Sequence, residues 1–427
     1  MRTFSIKTLG CKLNQYESAR LARVLEEAGW SSRPVGEEVD LALVNTCTVT
    51  DKSDRKCRTF IRQSARCSVS GKAVVTGCLV NRDGDGVRRM PEVMGAFDNR
   101  QEKALLHLSR RLFAHDGGKG GAEPGFHEAP TLAGFLRTGG FIKVQDGCDA
   151  QCSYCIVPSV RGEPRSRSRE SIIEETRRLI SEGCPEIILT GITIGKYRDG
   201  GTDLADLTAE ILDMDGDFRV RLGSIEPGQV TDKLARLLGH PKLCGHLHVP
   251  VQSGSDRVLE GMRRPYRTGQ FLQTVQRIRE RLPEICIGTD IIVGFPGESA
   301  RDFEQSLGMV RRARFGYVHQ FSFSPRAGTA AAALPLITPQ EISKRAKRLR
   351  ELAAETSLAY RTGFLGAALD CVVEFSRAHG KYTAVSDNYV KISLEDSELN
   401  TRYEGRIAKV RIHSAVISKT RGSIIEA

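Results

Sequence analysis

Twelve cysteines occur in the 427 residues, and two groups of three have a spacing that could do chemistry. The segment DGCDAQCSYC places Cys148, Cys152 and Cys155 in a C-x3-C-x2-C array directly after an expected strand. Three thiolates so spaced can hold three irons of a cubane [4Fe–4S] cluster and leave the fourth iron open to a substrate or cofactor. The alternatives are a structural zinc site, which needs a fourth Cys or His that is not nearby in sequence, or three unrelated core cysteines. The second group is dispersed: Cys11 follows FSIKTLG, Cys47 follows LALVNT and Cys78 follows AVVTG. Each stands just past the carboxyl end of an expected parallel strand, the edge where open α/β sheets bind ligands. These three could hold a second cluster with an open iron. Cys57 and Cys67 lie on DRKCRTFIRQSARC, expected to be a helix, so ligand sets that include Cys57 compete with the strand-end set. Cys184, Cys244, Cys286 and Cys371 have no partner at ligand spacing and are expected in the core.

The elements that must position these thiols follow from the apolar pattern. Short apolar runs at 4–9, 41–44 and 73–76, with an amphipathic helix at 16–28, indicate a first α/β domain built on a parallel sheet. A Gly- and Pro-rich stretch at 114–139 should hold neither helix nor strand and is expected to be a linker. Six further strands are expected at 141–145, 186–189, 219–224, 246–251, 288–293 and 318–323, separated by helical segments such as 170–181 capped by Ser168. Strands alternating with helices form parallel βα units, and right-handed crossovers curl six of them into an open partial barrel. A basic helix at 339–360 closes this part. After 363, ALDCVVEF, KYTAVS, YVKISL and RIAKVRIHSAV indicate a small all-β barrel or sandwich. The expected fold class is thus α/β, in domains at 1–113, 140–362 and 363–427 around the linker at 114–139.

Composition narrows the setting. With 40% apolar and 27% charged residues the chain is neither fibrous nor broadly disordered. No window approaches the ~18 consecutive apolar residues of a membrane span, so a cytoplasmic protein without a membrane partner is expected. In a reducing compartment cysteines bind metal, catalyse or pack more often than they pair. The formal net charge is +11, and its clusters at 55–66, 161–169, 344–350 and 402–421 could contact nucleic-acid phosphate or form solvated helix faces.

At this point the sequence resembles the radical S-adenosylmethionine (SAM) enzymes and, within them, the methylthiotransferases. The resemblance is carried by TLGCKLNQYES, VNTCTVTDKSDRK and VTGC, then by GCDAQCSYCIVPSVRGEPRSR, LTGITIGKY, SIEP, VPVQSGSDRVLEGMRRPY, DIIVGFPGE and FSFSPRAGT. The residues around Cys11 and the VTDKSDRK stretch are similar to the branch of the family that modifies threonylcarbamoyladenosine in tRNA. After Cys78 this chain has Leu79, Val80 and Asn81 where that branch has a Tyr-Ala-Gln-like stretch.

The resemblance implies a radical SAM partial (β/α)6 barrel and a C-terminal TRAM-like RNA-binding domain. It implies two [4Fe–4S] clusters, a radical-generating one on Cys148, Cys152 and Cys155 and a sulfur-carrying one on Cys11, Cys47 and Cys78. One S-adenosyl-L-methionine would methylate the sulfur and a second would generate a radical at adenine C2, giving a 2-methylthio adenosine next to the anticodon. The cofactor supplies that reactivity, and the protein supplies position and exclusion.

Five further residues are candidates for cofactor contact. Tyr154, before the last array cysteine, could pack on the cofactor adenine or simply fill core. Gly191 could let a backbone edge meet the methionine amino group, or serve a turn. Glu226 and Gln252 follow strand ends and could make polar contacts at the barrel mouth or cap helices. Gly294 in VGFPGE could allow close backbone approach to a ligand.

The implied partners are the tRNA anticodon stem-loop, an electron donor such as flavodoxin or ferredoxin, and a sulfur donor. Isopentenyladenosine in tRNA and a ribosomal-protein aspartate are the alternative substrates. A non-catalytic iron–sulfur protein that binds RNA or senses redox state is the alternative of another class.

Overall fold

The computed structural model describes residues 2–98, 139–376, 380–395 and 397–425; of the expected linker at 114–139, all but Gly139 lies outside them. Two compact units result. One holds the described N-terminal residues with Gly147–Asp149 and Cys155–Glu163, and the other holds 139–146, Ala150–Tyr154 and the residues from Pro164 onward.

The first unit is a five-stranded parallel sheet of β1 (Thr3–Thr8), β2 (Ser31–Ser32), β3 (Leu41–Thr46), β4 (Ala73–Gly77) and β5 (Val93–Phe97), in the order β2-β1-β3-β4-β5. β3 and β4 are buried along their whole length, as central parallel strands must be when both faces are covered. Phe4, Leu41, Leu43 and Val74 pack with Leu21, Leu25 and Trp30 on one face. Ala42, Val44, Ala73 and Val75 pack with Cys57, Ile61 and Leu79 on the other. Helix Asp51–Arg66 starts where the Thr50 hydroxyl accepts from Ser53 N–H, with Asp51 and Asp54 in its first turn.

In the second unit, β6 (Gly140–Lys143) is followed by the pair β7 (Gln145–Asp146) and β8 (Arg165–Ser166), then β9 (Glu186–Thr190) and the pair β10 (Arg198–Asp199) and β11 (Thr202–Asp203). β12 (Arg219–Leu222), β13 (His246–His248), β14 (Cys286–Val293) and β15 (Tyr317–Ser322) complete it. The parallel sheets β12-β9-β6 and β13-β14-β15 are joined by parallel bridges Val220–Leu243 and Ser224–His248, which makes six strands of a partial barrel. The expected helix after Ser168 is present as Arg169–Ser181, with the Ser168 hydroxyl accepting from Ser171 N–H. β13 ends three residues short of expectation: Pro250 has no N–H to donate, and Gln252 turns to φ 64°.

Helix Pro339–Thr362 packs on β15 and leads into a closed barrel of β16 (Ala368–Ser376), β17 (Lys381–Ser386), β18 (Lys391–Leu394), β19 (Ile407–Val416) and β20 (Lys419–Ile424), ordered β16-β17-β18-β20-β19. β20 was not expected, because KTRGSI reads as polar. Its Gly422 is where a side chain would lie 2.5 Å from Arg411 O.

A buried charge network ties this small barrel to the amino ends of the central strands. Arg221 donates to both Glu186 carboxylate oxygens at 2.7 and 2.8 Å, and to Asp387 O and Ser386 O. Arg219 donates to Glu186 at 2.6 Å and to Asp370 O and Val385 O. Tyr389, held at φ 65°, stacks on His246 with ring centroids 4.3 Å apart. Burial pushes the Glu186 carboxyl up, but Arg221 and then Arg219 outweigh it and bring it down to about 2. A carboxyl lowered from its ordinary 4.5 contributes stability above about pH 4.5 that is lost as pH falls towards about 2. Glu186→Gln leaves two buried guanidinium groups without their anion and should cost about 3–5 kcal/mol. Urea unfolding at pH 7 measures that loss, and repeating it between pH 4.5 and 2 should show a shallower acid slope in the variant than in the wild type.

Candidate active site

In the first unit Cys11 and Cys47 stand just past the ends of β1 and β3, and Cys78 opens the helix Cys78–Arg88 that follows β4. Two are preceded by glycines with positive φ, Gly10 at 119° and Gly77 at 96°. A side chain on Gly10 would lie 3.1 Å from Cys47 Cβ; one on Gly77 would press on Asn45 Oδ1 and lie 2.5 Å from Thr46 O. The glycines are what let three strand ends close on one another. Two buried amides lock the arrangement. Asn14 Nδ2 donates to Asn45 Oδ1 and Thr46 O at 3.0 Å, and Asn45 Nδ2 donates to Asn14 O at 2.9 Å. Cys11 Sγ donates to Asn14 Oδ1 at 3.1 Å.

Arg161 reaches the same place. Its guanidinium donates to Glu17 Oε1 at 2.7 Å and to Asn14 Oδ1 at 3.4 Å, with side-chain exposures of 2% for Arg161 and 6% for Glu17. Burial pushes the Cys78 thiol up to about 12, Arg161 opposes that, and Cys11 and Cys47 also act on it, so the three thiols are electrostatic neighbours. Cys11 keeps solvent access, yet surrounding protein raises its thiol while Arg161 pulls it down.

Cys57 is not at this edge. It is fully buried in the core beneath β3, takes Cys47 N–H on Sγ at 3.3 Å and donates to Cys47 O at 3.3 Å. Burial holds its thiol at about 12. Cys67 donates to Gly36 O at 3.6 Å. Cys244, Cys286 and Cys371 are buried and Cys184 is half-buried.

The array loop divides between the units, Cys148 and Cys155 with the first and Cys152 with the second. Cys148 N–H donates to Gly162 O at 2.9 Å, Val157 N–H donates to Cys155 Sγ at 3.4 Å, and Cys78 packs against Ile156 and Val160. Asn81, in the stretch that departs from the branch pattern, donates to Val160 O at 2.6 Å. In the second unit Arg264 Nη1 donates to Cys152 Sγ at 3.2 Å and also pairs with Glu226. Donors aimed at sulfur suit thiolates that carry a metal cluster.

The other expected contacts are placed as follows. Tyr154 packs on the cluster of Val258, Met262, Ile292, Phe295 and Ala331. Gly191 has a packing reason of its own, since a side chain there would lie 2.5 Å from Gln145 O. Glu226 stands after β12, its carboxyl raised by burial against the pull of Arg264. Gln252 N–H donates to Asp290 O at 2.8 Å. Gly294 turns at φ 80° and packs on Ile342 of the helix Pro339–Thr362, at the edge of a cavity of about 470 Å³.

Sequence reasoning took Arg161 only as part of a basic cluster, and it missed Arg264 and a group of His248, Asp290 and His319, whose ligand atoms lie within 4.8 Å of one another. The signals were present: HLH alternates, and Asp290 is the single charge in CIGTDIIV. Three of the expected basic clusters are largely engaged in ion pairs. Arg161 holds Glu17, Arg167 holds Glu175 and Arg169 holds Glu210; Arg58 and Arg62 face Asp83 and Glu92; Arg345 and Arg348 face Glu298 and Glu304.

Residues 142–310 match the radical SAM superfamily, and residues 3–97 match the uncharacterized protein family UPF0004. The threonylcarbamoyladenosine tRNA methylthiotransferase MtaB of Thermotoga maritima is 36% identical over 92% of this chain and 91% of its own length. The enzyme of that name from Bacillus subtilis is 31% identical over 100% and 97%. The tRNA-2-methylthio-N(6)-dimethylallyladenosine synthase of Cereibacter sphaeroides is 33% identical over 96% of each chain. The chain belongs to the radical SAM methylthiotransferase family. Among solved structures it shares its fold with the radical SAM methyltransferase TsrM of Kitasatospora setae, at TM-score 0.57 and 14% identity over 78% of this chain and 77% of that one.

As a radical SAM methylthiotransferase it is an enzyme that transfers methylthio groups, and its superfamily implies a [4Fe–4S] cluster and SAM. The residues present fit that cluster: none of the twelve cysteines is tied up in a disulfide, Cys152 Sγ accepts from Arg264 and Cys155 Sγ accepts from Val157 N–H. For this methylthiotransferase the glycine cradle can be tested by stability. Gly77→Ala should destabilise by about 3 kcal/mol or more, from positive φ and overpacking together. Gly71→Ala, at φ 66° with nothing within 4 Å, should cost only about 1–2 kcal/mol, both read by chemical denaturation.

Proposed function

We propose that this enzyme methylthiolates tRNA, and that its substrate is N6-threonylcarbamoyladenosine next to the anticodon, whose adenine C2–H becomes C2–SCH3. The observation that carries this reading is a 36% identity extending over 91% of a relative named for that nucleoside, joined to two three-cysteine sets on strand ends. In this reading Cys148, Cys152 and Cys155 hold the radical-generating cluster, and Cys11, Cys47 and Cys78 hold a second [4Fe–4S] cluster that carries the sulfur. When bound, cluster and SAM supply a 5′-deoxyadenosyl radical, which can act on an aromatic C–H that no side-chain base could usefully deprotonate.

The chain's own residues do the rest. Arg264 donates to the Cys152 sulfur and is held by Glu226. Asn14 and Asn45 hold the loops of Cys11 and Cys47 in register. Tyr154, Gly191, Glu226, Gln252 and Gly294 are assigned to the SAM site.

Residues 1–113 form the sulfur-carrying domain, 140–362 the radical domain and 363–427 the RNA-binding domain. On the last, Arg406, Arg411, Lys419 and Arg421 are exposed and have no ion-pair partner among the described residues, which supports a phosphate contact surface with salt-dependent affinity. An electron donor such as flavodoxin or ferredoxin and a sulfur donor are required. The setting is the cytoplasm, and no described helix is long and apolar enough to cross a membrane.

The test is anaerobic reconstitution with iron and sulfide, then reduction with SAM and tRNA, followed by mass spectrometry of nucleosides. Replacing Cys148, Cys152 or Cys155 by Ala should abolish both 5′-deoxyadenosine and methylthio product. Replacing Cys11, Cys47 or Cys78 should remove about four irons per chain and the product while 5′-deoxyadenosine still forms. Cys57→Ala should keep the full iron content. Unchanged tRNA in the wild-type reaction, with 5′-deoxyadenosine present, refutes the substrate assignment.

A further inference from the structure

One face of the last three central strands carries a group of polar side chains. His248 Nε2 on β13 lies 3.1 Å from Asp290 Oδ1 on β14, and His319 Nδ1 on β15 lies 3.4 Å from the same oxygen. Tyr317 Oη lies 3.1 Å from His248 Nδ1 and 2.9 Å from His246 Nε2. Burial pushes the Asp290 carboxyl up, but hydrogen bonds from His248 and His319 bring it down to about 2, so it is an anion that accepts from both rings.

This group continues towards the radical-generating loop. The Glu226 carboxyl is acted on by both Asp290 and His248, and Glu226 pairs with Arg264, which donates to Cys152. Gln252 stands beside Asp290, and among the described residues its side-chain amide has no partner. His319 is the most exposed of the three, at 56%. Among the described residues its Nε2 has no partner either.

Relatives of both kinds match this chain, at 36% and 31% for the threonylcarbamoyl nucleoside and at 33% for the dimethylallyl nucleoside. The chemistry of the wall supplies a criterion independent of identity. A threonylcarbamoyl group carries a urea, a hydroxyl and a carboxylate, whereas a dimethylallyl group has no polar atom. A site built to hydrogen-bond a substrate rejects an analogue that lacks those groups, because its own polar atoms are then left unpaired. Building on the tRNA reading above, we infer that His248, Asp290 and His319 form the recognition site for a polar N6 substituent, with His319 Nε2 the atom offered to it.

The test is equilibrium binding rather than turnover. Cluster-loaded protein, without reductant, is titrated with fluorescent anticodon stem-loops whose adenosine carries threonylcarbamoyl, dimethylallyl or no N6 group. The wild type should bind the threonylcarbamoyl loop about tenfold or more tighter than the dimethylallyl loop, the equivalent of about 1.4 kcal/mol. His319→Phe should abolish that ratio and leave the affinity for the unsubstituted loop unchanged, while His319→Gln, which keeps a hydrogen-bonding head, should retain part of it. The inference is overturned if His319→Phe keeps the preference, if it weakens all three loops alike, or if the wild type prefers dimethylallyl. Failure of the wild type to bind any loop overturns the tRNA reading and this one together, whereas a preference that survives His319→Phe overturns this one alone.

Discussion

Parallel strands must return by crossover, so all their carboxyl ends finish on one edge of the sheet. The rest of the first unit depends on this constraint. Cys11, Cys47 and Cys78 are separated by 36 and 31 positions in the chain, yet they meet because β1, β3 and β4 are adjacent and parallel. Meeting is not enough for shared chemistry, since loops with side chains would hold the ends apart. Gly10 and Gly77 remove those side chains, and the Asn14–Asn45 amide pair replaces the lost contacts with hydrogen bonds.

Buried charge fastens three separate pieces of chain. Arg161 carries the loop 155–163 onto Glu17 of the helix Lys12–Glu27. Arg219 and Arg221, with Glu186, carry the backbone of the small barrel. Arg345 of the long helix does the same with Glu298. Such pairs add little net stability against an apolar replacement, but breaking one leaves an uncompensated buried charge. Their effect is to fix one placement, since guanidinium groups that also serve named backbone carbonyls are satisfied in that arrangement.

The same residues show why charge read along the chain misleads. The run from Arg161 to Arg169 resembles a phosphate-binding stripe, but folding turns Arg161, Arg167 and Arg169 onto Glu17, Glu175 and Glu210, which lie far off or on a following helix. Around β19 and β20, Arg406, Arg411, Lys419 and Arg421 stay exposed without an ion-pair partner among the described residues, because that strand pair presents alternate residues to solvent while Val410, Ile412 and Ile424 fill its core.

The sequence by itself determined the strands and helices whose apolar period is regular and the strand-end position of Cys11, Cys47 and Cys78, because apolar period and strand-end position are local properties. It could not place β20 or shorten β13, since KTRGSI lacks an apolar period and the end of β13 is set by Pro250 and the turn at Gln252. Tertiary structure alone decided that Cys57 packs beneath Cys47 instead of standing at the edge, that Arg264 faces Cys152, and that His248, Asp290 and His319 converge. Those contacts join residues 10, 112, 42 and 29 positions apart. Contacts between side chains on different strands depend on register and crossover geometry, which no local pattern encodes.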